Sequence, residues 1–366
     1  MKFKSKNSSD FFTELFKKVD GYINDKGNNR FGDTKTYLKG VCLVATYGLS
    51  YILLLGQNLS PLLSILLVII MGLAAVMIVF NIVHDASHNV LFKNPKLNKA
   101  AAYFGDLMGM NSYIWNIRHN IQHHTFTNIA GGDVLLDSIP FIRVSPQQKR
   151  FPIHKYQVWY VPVMYMFYSI FWVFFIDLNM FRQKNMGNYK NMKHSRQEWL
   201  KLFFFKSFYF FYMIILPAFI VNIPLSTVLT GFLIYHLAAG TLLSLVVVLG
   251  HCVEGAEYAA PDENGIIQNS FLQHEWNATY DCNTNSKLLH WITGGLNTHI
   301  AHHLFPKLCY RHYYDITKII KQHCIEHDIR YPHYSLAMAI VSHFNFLNQQ
   351  ANAPDLSLTN LKPLHT

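Results

Sequence analysis

Two apolar stretches, 37–56 and 62–83, are separated only by the uncharged QNLSP at 57–61. Each is close to the ~20 residues that a helix needs to cross a bilayer core of ~30 Å. In lipid every backbone polar group must find an internal partner, so consecutive runs of this length predict a transmembrane helical hairpin. Three more apolar stretches follow at 156–176, 203–221 and 227–249. Charged residues make up 14% of the chain, against about a quarter in soluble domains, as expected when much of the surface faces lipid.

Directly after the second run comes HDASH at 84–88, and then HNIQHH at 119–124 and HIAHH at 299–303. His84 and His88 stand four apart, which on a helix puts both imidazoles on one face, one turn apart. His119, His123 and His124 repeat that spacing with an extra neighbour, and His299, His302 and His303 do so at i, i+3 and i+4. These eight imidazoles are too many for one ion with ordinary coordination and suit two. Neutral nitrogen ligands accept iron, zinc, copper or nickel, and the spacing does not choose among them. His251 ends the last apolar run at the level where His84 begins its box, and an ionisable residue at a membrane helix end is a functional candidate. The other eleven of the twenty histidines lack the clustered spacing and are read as structural; His323, for one, is expected to tolerate alanine.

The histidines also constrain topology. If all three later runs crossed the membrane, HIAHH would emerge on the side opposite the first two boxes. The run at 156–176 is therefore expected to be interfacial or partly inserted, and Lys155, Arg182 and Lys184 flank it with the positive charge that two cytoplasmic ends would carry. The expected fold is an all-α polytopic membrane protein. It has four transmembrane helices, at 37–56, 62–83, 203–221 and 227–249, in two hairpins, with interfacial helices and a cytoplasmic histidine-rich cap. Residues 1–36 form a cytoplasmic N-terminal segment, 37–350 the membrane domain, and 351–366 a loose tail. Within the first segment, Phe11, Phe12, Leu15, Phe16, Val19, Tyr22 and Ile23 share one side of an amphipathic helix, suited either to a membrane surface or to the body of the protein. No removable signal peptide is expected at the N-terminus.

The net charge of +10 fits a positive-inside bias. No Lys/Arg-rich run with interleaved aromatics is present, so nucleic acid is not an expected partner. The five cysteines form no CxxC pair, which excludes an encoded zinc ribbon or iron–sulfur site and fits a reducing compartment.

Helix ends leaving the membrane together would hold the site just above the hydrocarbon, where a substrate with an apolar tail can reach it. HExxH, with its Glu as general base beside zinc, is absent. A redox metal such as iron in this setting would activate dioxygen and take hydrogen from an unactivated methylene, which no side chain can do. Asp85, Asn120, Asn128, Asp133, Glu254 and Asn297 are candidates to hold the second N–H of the ligand histidines. Arg118, Arg143, Lys149 and Arg150 are candidates to meet an anionic head group. Rival readings stand open beside this one: the same hydrogen abstraction ending in a hydroxyl group, a membrane zinc hydrolase or receptor-like protein with a histidine site, and a metal transporter. A zinc hydrolase needs about three ligands and an open position, leaving most of the boxes unexplained.

The pattern HxxxH, HxxxHH and HxxHH, in this order and topology, resembles the membrane fatty acid desaturases. NIVHDASH, RHNIQHHTFTN and GGLNTHIAHHLFP are similar to the linoleoyl-CoA, or front-end, acyl desaturase group, over about residues 40–335. The resemblance implies a di-iron site held by His84, His88, His119, His123, His124, His299, His302 and His303, with dioxygen as co-substrate and a fatty acyl CoA or lipid ester as substrate. It also implies His251 as a ninth ligand, at the position where stearoyl-CoA relatives have a further histidine. Those relatives carry an asparagine one turn earlier, where this chain has Val247. Box three begins with His299 where front-end enzymes generally have glutamine, so regioselectivity does not carry over. No HPGG motif of a fused cytochrome b5 is present, so electrons are expected from a separate ferredoxin or cytochrome b5 with its reductase.

Overall fold

Polar caps and prolines set where the helices begin. In the computed structural model, which describes residues 1–4, 9–134, 141–187 and 189–354, helix α1 (Asp10–Asp25) precedes α2 (Thr34–Leu55). The Asp33 carboxylate caps α2 by accepting from the Thr36 N–H at 2.9 Å. Ser60 caps α3 (Pro61–Ser87), and Pro61 suits the first turn because its missing N–H would have had no helical partner. Asn94 caps α4 (Pro95–Leu107), Asn111 caps α5 (112–126), and α6 (Pro152–Arg182), α7 (Arg196–Ile220) and α8 (Leu225–His251) follow. Five of these helices, α2, α3, α6, α7 and α8, are long and apolar enough to cross a membrane. Their outward faces are apolar too, with Val41, Ile52, Leu62, Phe204 and Phe219 all exposed.

α2–α3 and α7–α8 form two hairpins. Their turns meet at one end, where Gln57 Nε2 donates to the Val221 carbonyl at 2.9 Å. The histidines lie at the other end. α6 behaves differently from its neighbours. Its first half runs down α8, with the Ser244 hydroxyl donating to the Tyr165 carbonyl and Ser169 Oγ 2.9 Å from His236 Nδ1. Its second half runs back up α7: Phe174 lies on Phe210, Asp177 pairs with Lys206 at 2.8 Å, and Phe181 lies on Trp199. A π-helical segment at Trp172–Ile176 separates the halves. Just beyond α6, the Met186 carbonyl accepts from Gln122 Nε2 at 2.6 Å, which places the chain back beside box two.

The chain after α8 forms α9 (Phe271–Ala278), α10 (Lys287–Thr293), α11 (His299–Leu304), α12 (Tyr313–Glu326) and α13 (Leu336–Asn352). Two short parallel pairings tie it together, Lys2–Phe3 with Ile266–Ile267 and Asp281–Cys282 with His333–Tyr334. Of the two settings open to α1, the protein body is the one observed. Phe11, Phe12, Leu15, Val19 and Ile23 are buried in one cluster with Trp276, Ile300, Ile316 and Ile320, so this face is not available to lipid. A side chain as buried as Leu15, at 0% exposure, contributes roughly 1.5–3 kcal/mol to holding α1 there. Of the segment expected to be a loose tail, Ala351 is buried in the last turn of α13, and 355–366 lies outside the described residues.

Candidate metal centre

The histidines are brought together by helices that depart from α winding. α3 turns π-helical over Val79–Val83, just before His84, and α5 does so over Ile117–His123. On an α-helix, residues five apart point ~140° away from each other. The i→i+5 bonding of a π turn puts them on one side, and His119 and His124 Nε2 accordingly lie 3.3 Å apart. The spacing argument, which assumed α winding, paired His119 with His123 instead.

All nine predicted residues converge, but not box by box. His84, His88, His119 and His302 form one group, and His123, His251, His299 and His303 a second. His124 shares reach with His302 and His303. Ligand atoms within each group lie within 4.8 Å of one another. Box two is thus divided, with His119 in one group and His123 in the other, and box three is divided between His302 and the pair His299/His303.

Close nitrogen pairs within the groups are His84–His119 at 3.0 Å, His123–His251 at 3.2 Å and His251–His299 at 2.8 Å, each Nε2 to Nε2. Two imidazoles bound ~2.1 Å from one ion at right angles would be ~3 Å apart, so the separations fit a shared cation. Nε2 of His88, His302 and His303 are buried atoms without a hydrogen-bond partner among the described residues. Burial, followed by crowding from neighbouring imidazoles, holds His119, His124, His302 and His303 well below the ordinary histidine range. The same causes bring His299 down to about 3. Neutral rings with inward lone pairs are what a divalent metal requires.

The opposite ring nitrogens are held by partners. His123 Nδ1 lies 2.9 Å from Asp133 Oδ2, and His303 Nδ1 lies 2.7 Å from Glu275 Oε2. His251 Nδ1 donates to the Ala278 carbonyl at 3.1 Å and His299 Nδ1 to the Leu296 carbonyl at 2.9 Å. His302 Nδ1 lies 3.4 Å from the Tyr313 hydroxyl. Such partners fix which nitrogen faces the metal. Of the six polar candidates, Asp133 takes this position. Asp85 Oδ1 stands 3.5 Å from His84 Nδ1, while its Oδ2 accepts from the Tyr310 N–H at 3.0 Å, joining box one to the chain after box three. Asn120, Asn128, Glu254 and Asn297 bond other groups. Glu275 and Tyr313 escaped the sequence reading because neither lies in or beside a box.

Two glycines bring box three under box one. Gly294 and Gly295 have φ of +59° and +78°, and a Cβ on Gly294 would sit 2.5 Å from the Phe80 carbonyl oxygen. Only glycine lets this loop lie so close to the π turn of α3.

An apolar cavity of about 100 Å³ opens from the cluster, where His84, His119, His123, His251 and His299 line it, and runs along Phe80, Tyr168, Ala239 and Leu243 into the bundle. It passes Val247 and reaches Tyr235 and His236. His236 is fully partnered there, its ring nitrogens 2.9 Å from Ser169 Oγ and Tyr209 Oη. Two of the four residues proposed for head-group contact are buried arginines. Arg118 is 0% exposed with its guanidinium 4.7 Å from the Trp172 ring, and Arg143 donates to the carbonyls of Ala353 and Pro354.

The family model for fatty acid desaturases matches residues 60–335, which include all three boxes. The chain is 29% identical over 344 residues to an sn-1 linoleoyl-lipid 6-desaturase of Synechocystis sp., covering 93% of this chain and 95% of that protein. It is 27% identical over 351 residues to an sn-1 linoleoyl-lipid 6-desaturase of Arthrospira platensis, covering 94% of each. It is also 34% identical over 276 residues to an acyl-lipid (8-3)-desaturase of Mortierella alpina, covering 74% of this chain and 60% of that protein. With five membrane-length helices and clustered histidines inside the matched region, this chain belongs to the fatty acid desaturase family and is a multi-pass membrane oxidoreductase.

Proposed function

We propose that the protein is an oxygen-dependent acyl desaturase in which His84, His88, His119, His123, His124, His251, His299, His302 and His303 hold two iron ions. The observation that carries this reading is the convergence of these imidazoles, in two groups, at the head of an apolar cavity. Iron bound there would supply dioxygen activation and removal of hydrogen from an unactivated methylene. His84, His88, His119 and His302 would hold one ion and His123, His251, His299 and His303 the other, with His124 beside both. Asp133 and Glu275 keep the Nδ1 protons of His123 and His303 in place, so that Nε2 remains the donor atom. Phe80, Tyr168, Ala239 and Leu243 give an acyl chain an apolar path and exclude water from it. The substrate is taken as a lipid ester, because the relatives above are acyl-lipid desaturases. Electrons come from a separate ferredoxin or cytochrome b5 with its reductase.

In the same reading four helices span the membrane, with α6 partly inserted and both termini and the site in the cytoplasm. The shared end of the two hairpin turns and the return of α6 to box two support this topology. Residues 1–36 are the N-terminal segment and the membrane desaturase domain begins at 37; its far boundary lies beyond Asn352 and not at 350, because Ala351 is buried in the last turn of α13. The zinc hydrolase reading is disfavoured because the buried carboxylates beside the cluster are turned to other groups: Asp133 and Glu275 to imidazole Nδ1 atoms, and Asp85 to the Tyr310 N–H with its other oxygen 3.5 Å from His84 Nδ1.

The deciding experiment is the fatty acid profile of an expressing host, together with the metal content of the purified protein. A new double bond and two irons per chain are expected. A new hydroxyl would make the protein a hydroxylase, neither product with iron bound would overturn both, and a single tightly held zinc would favour the hydrolase. Ala239→Phe, which fills the cavity wall, should lower kcat/KM for long acyl chains by roughly 10–200-fold, corresponding to about 1–3 kcal/mol of lost chain binding. Iron content should be unchanged; full activity in this variant would show that the chain runs elsewhere.

A further inference from the structure

Among the described residues, one further group of metal-binding side chains lies apart from the nine histidines: Glu14 on α1, His323 on α12, and His327 just after it, with ligand atoms within 4.8 Å of one another. His323 is 0% exposed, and its Nε2 lies 2.8 Å from the Phe11 carbonyl oxygen. That carbonyl can only accept, so Nε2 bears the proton, and in the neutral ring Nδ1 is the free acceptor. Nδ1 has no hydrogen-bond partner among the described residues and faces Glu326 Oε2 at 3.8 Å. Two acceptors facing each other in this way are held together by a positive charge, a proton on Nδ1 or a metal ion. His327 Nε2 lies 3.1 Å from Glu14 Oε2, and the rings of His323 and His327 are 4.2 Å apart. Glu326 is already paired with Lys18. This leaves two imidazoles and one carboxylate, with water completing the sphere at a half-exposed Glu14. A His2Glu set of this kind, with one imidazole N–H anchored on a backbone carbonyl, suits zinc and related divalent ions.

We propose that Glu14, His323 and His327 form a surface site for a zinc-class divalent cation that clasps α1 to α12. The clasp has a structural consequence. α1 places Phe11 and Phe12 against Trp276, with ring centroids at 5.4 and 6.2 Å, and Trp276 follows Glu275, the carboxylate that orients His303. Holding α1 in place therefore buttresses the segment behind the main centre. It also gives His323, expected to be dispensable, a defined role in holding the N-terminal helix.

The test uses the purified full-length chain in detergent, supplied with Zn2+, with zinc and iron both counted. The wild type should retain one zinc per chain more than the Glu14→Gln/His327→Gln double variant, at equal iron content. Zinc should also slow proteolysis within α1 of the wild type and not of the variant. Both substituted side chains are at least partly exposed, at 52% and 28%, and Glu14→Gln alone serves if the double variant aggregates. Equal zinc in the two proteins, or zinc gained only as iron is lost, overturns the site. The comparison holds whatever occupies the nine-histidine cluster, so it stands or fails independently of the desaturase reading.

Discussion

His302→Ala is expected to abolish desaturation while the chain still inserts and folds. His302 is 0% exposed, its Nε2 has no hydrogen-bond partner among the described residues, and its ring centroid lies 4.5 Å from those of both His84 and His124. It belongs to one four-histidine group and also to the set it shares with His124 and His303, so its loss opens both at once. The long helices keep their own apolar contacts and do not depend on it. Product formation, iron content and membrane-fraction yield should be measured together, with the exposed His333→Ala as the comparison that retains activity. His123→Ala should behave like His302→Ala through the second group. Full activity in either variant would remove these residues from the metal site.

Glu275→Gln is expected to weaken iron retention or activity by about 10–100-fold, the usual cost of losing a group that orients a metal-bound histidine. Glu275 is 1% exposed, and its Oε2 lies 2.7 Å from His303 Nδ1 and 3.0 Å from the Thr127 hydroxyl. Burial pushes the carboxyl well above its ordinary range in the metal-free protein. A cation on the far side of His303 reverses that balance, because the ring N–H then becomes a stronger donor to a carboxylate. Glutamine keeps the volume and an accepting oxygen but not the charge. Competition with an iron chelator separates a positioning role from simple packing, since Glu275→Gln should lose iron faster while eluting like the wild type. Unchanged retention would show that the carboxylate charge plays no part in orienting His303.

Much of the site was legible in the sequence because its informative residues are local. The boxes lie at helical spacing, and a run such as 62–83 ending on His84 places an imidazole where a membrane helix emerges. His251 was legible for the same reason. The partners of the ring nitrogens were not. Glu275 is 28 residues from His303, and Asp133, although only 10 from His123, bonds it through a turn beyond α5. The amphipathic face of α1 predicted burial without saying in what. Its aromatic contacts with Trp276, more than two hundred residues away, decide for protein over lipid.

By itself the sequence determined that this chain is a helical membrane protein with three histidine boxes at helical spacing and His251 at the end of the last apolar run. Hydrophobic run length and i, i+4 spacing are properties of a helix in isolation. The tertiary structure decided which imidazole belongs to which group, because that depends on π turns at Val79–Val83 and Ile117–His123 and on contacts such as His123 to His251 across 128 residues. It also decided the course of α6, whose composition alone permits a full crossing but whose two halves pack along α8 and α7 in opposite directions. Periodicity fixes the face a side chain occupies on its own helix; what that face meets is set by packing between segments far apart in the chain.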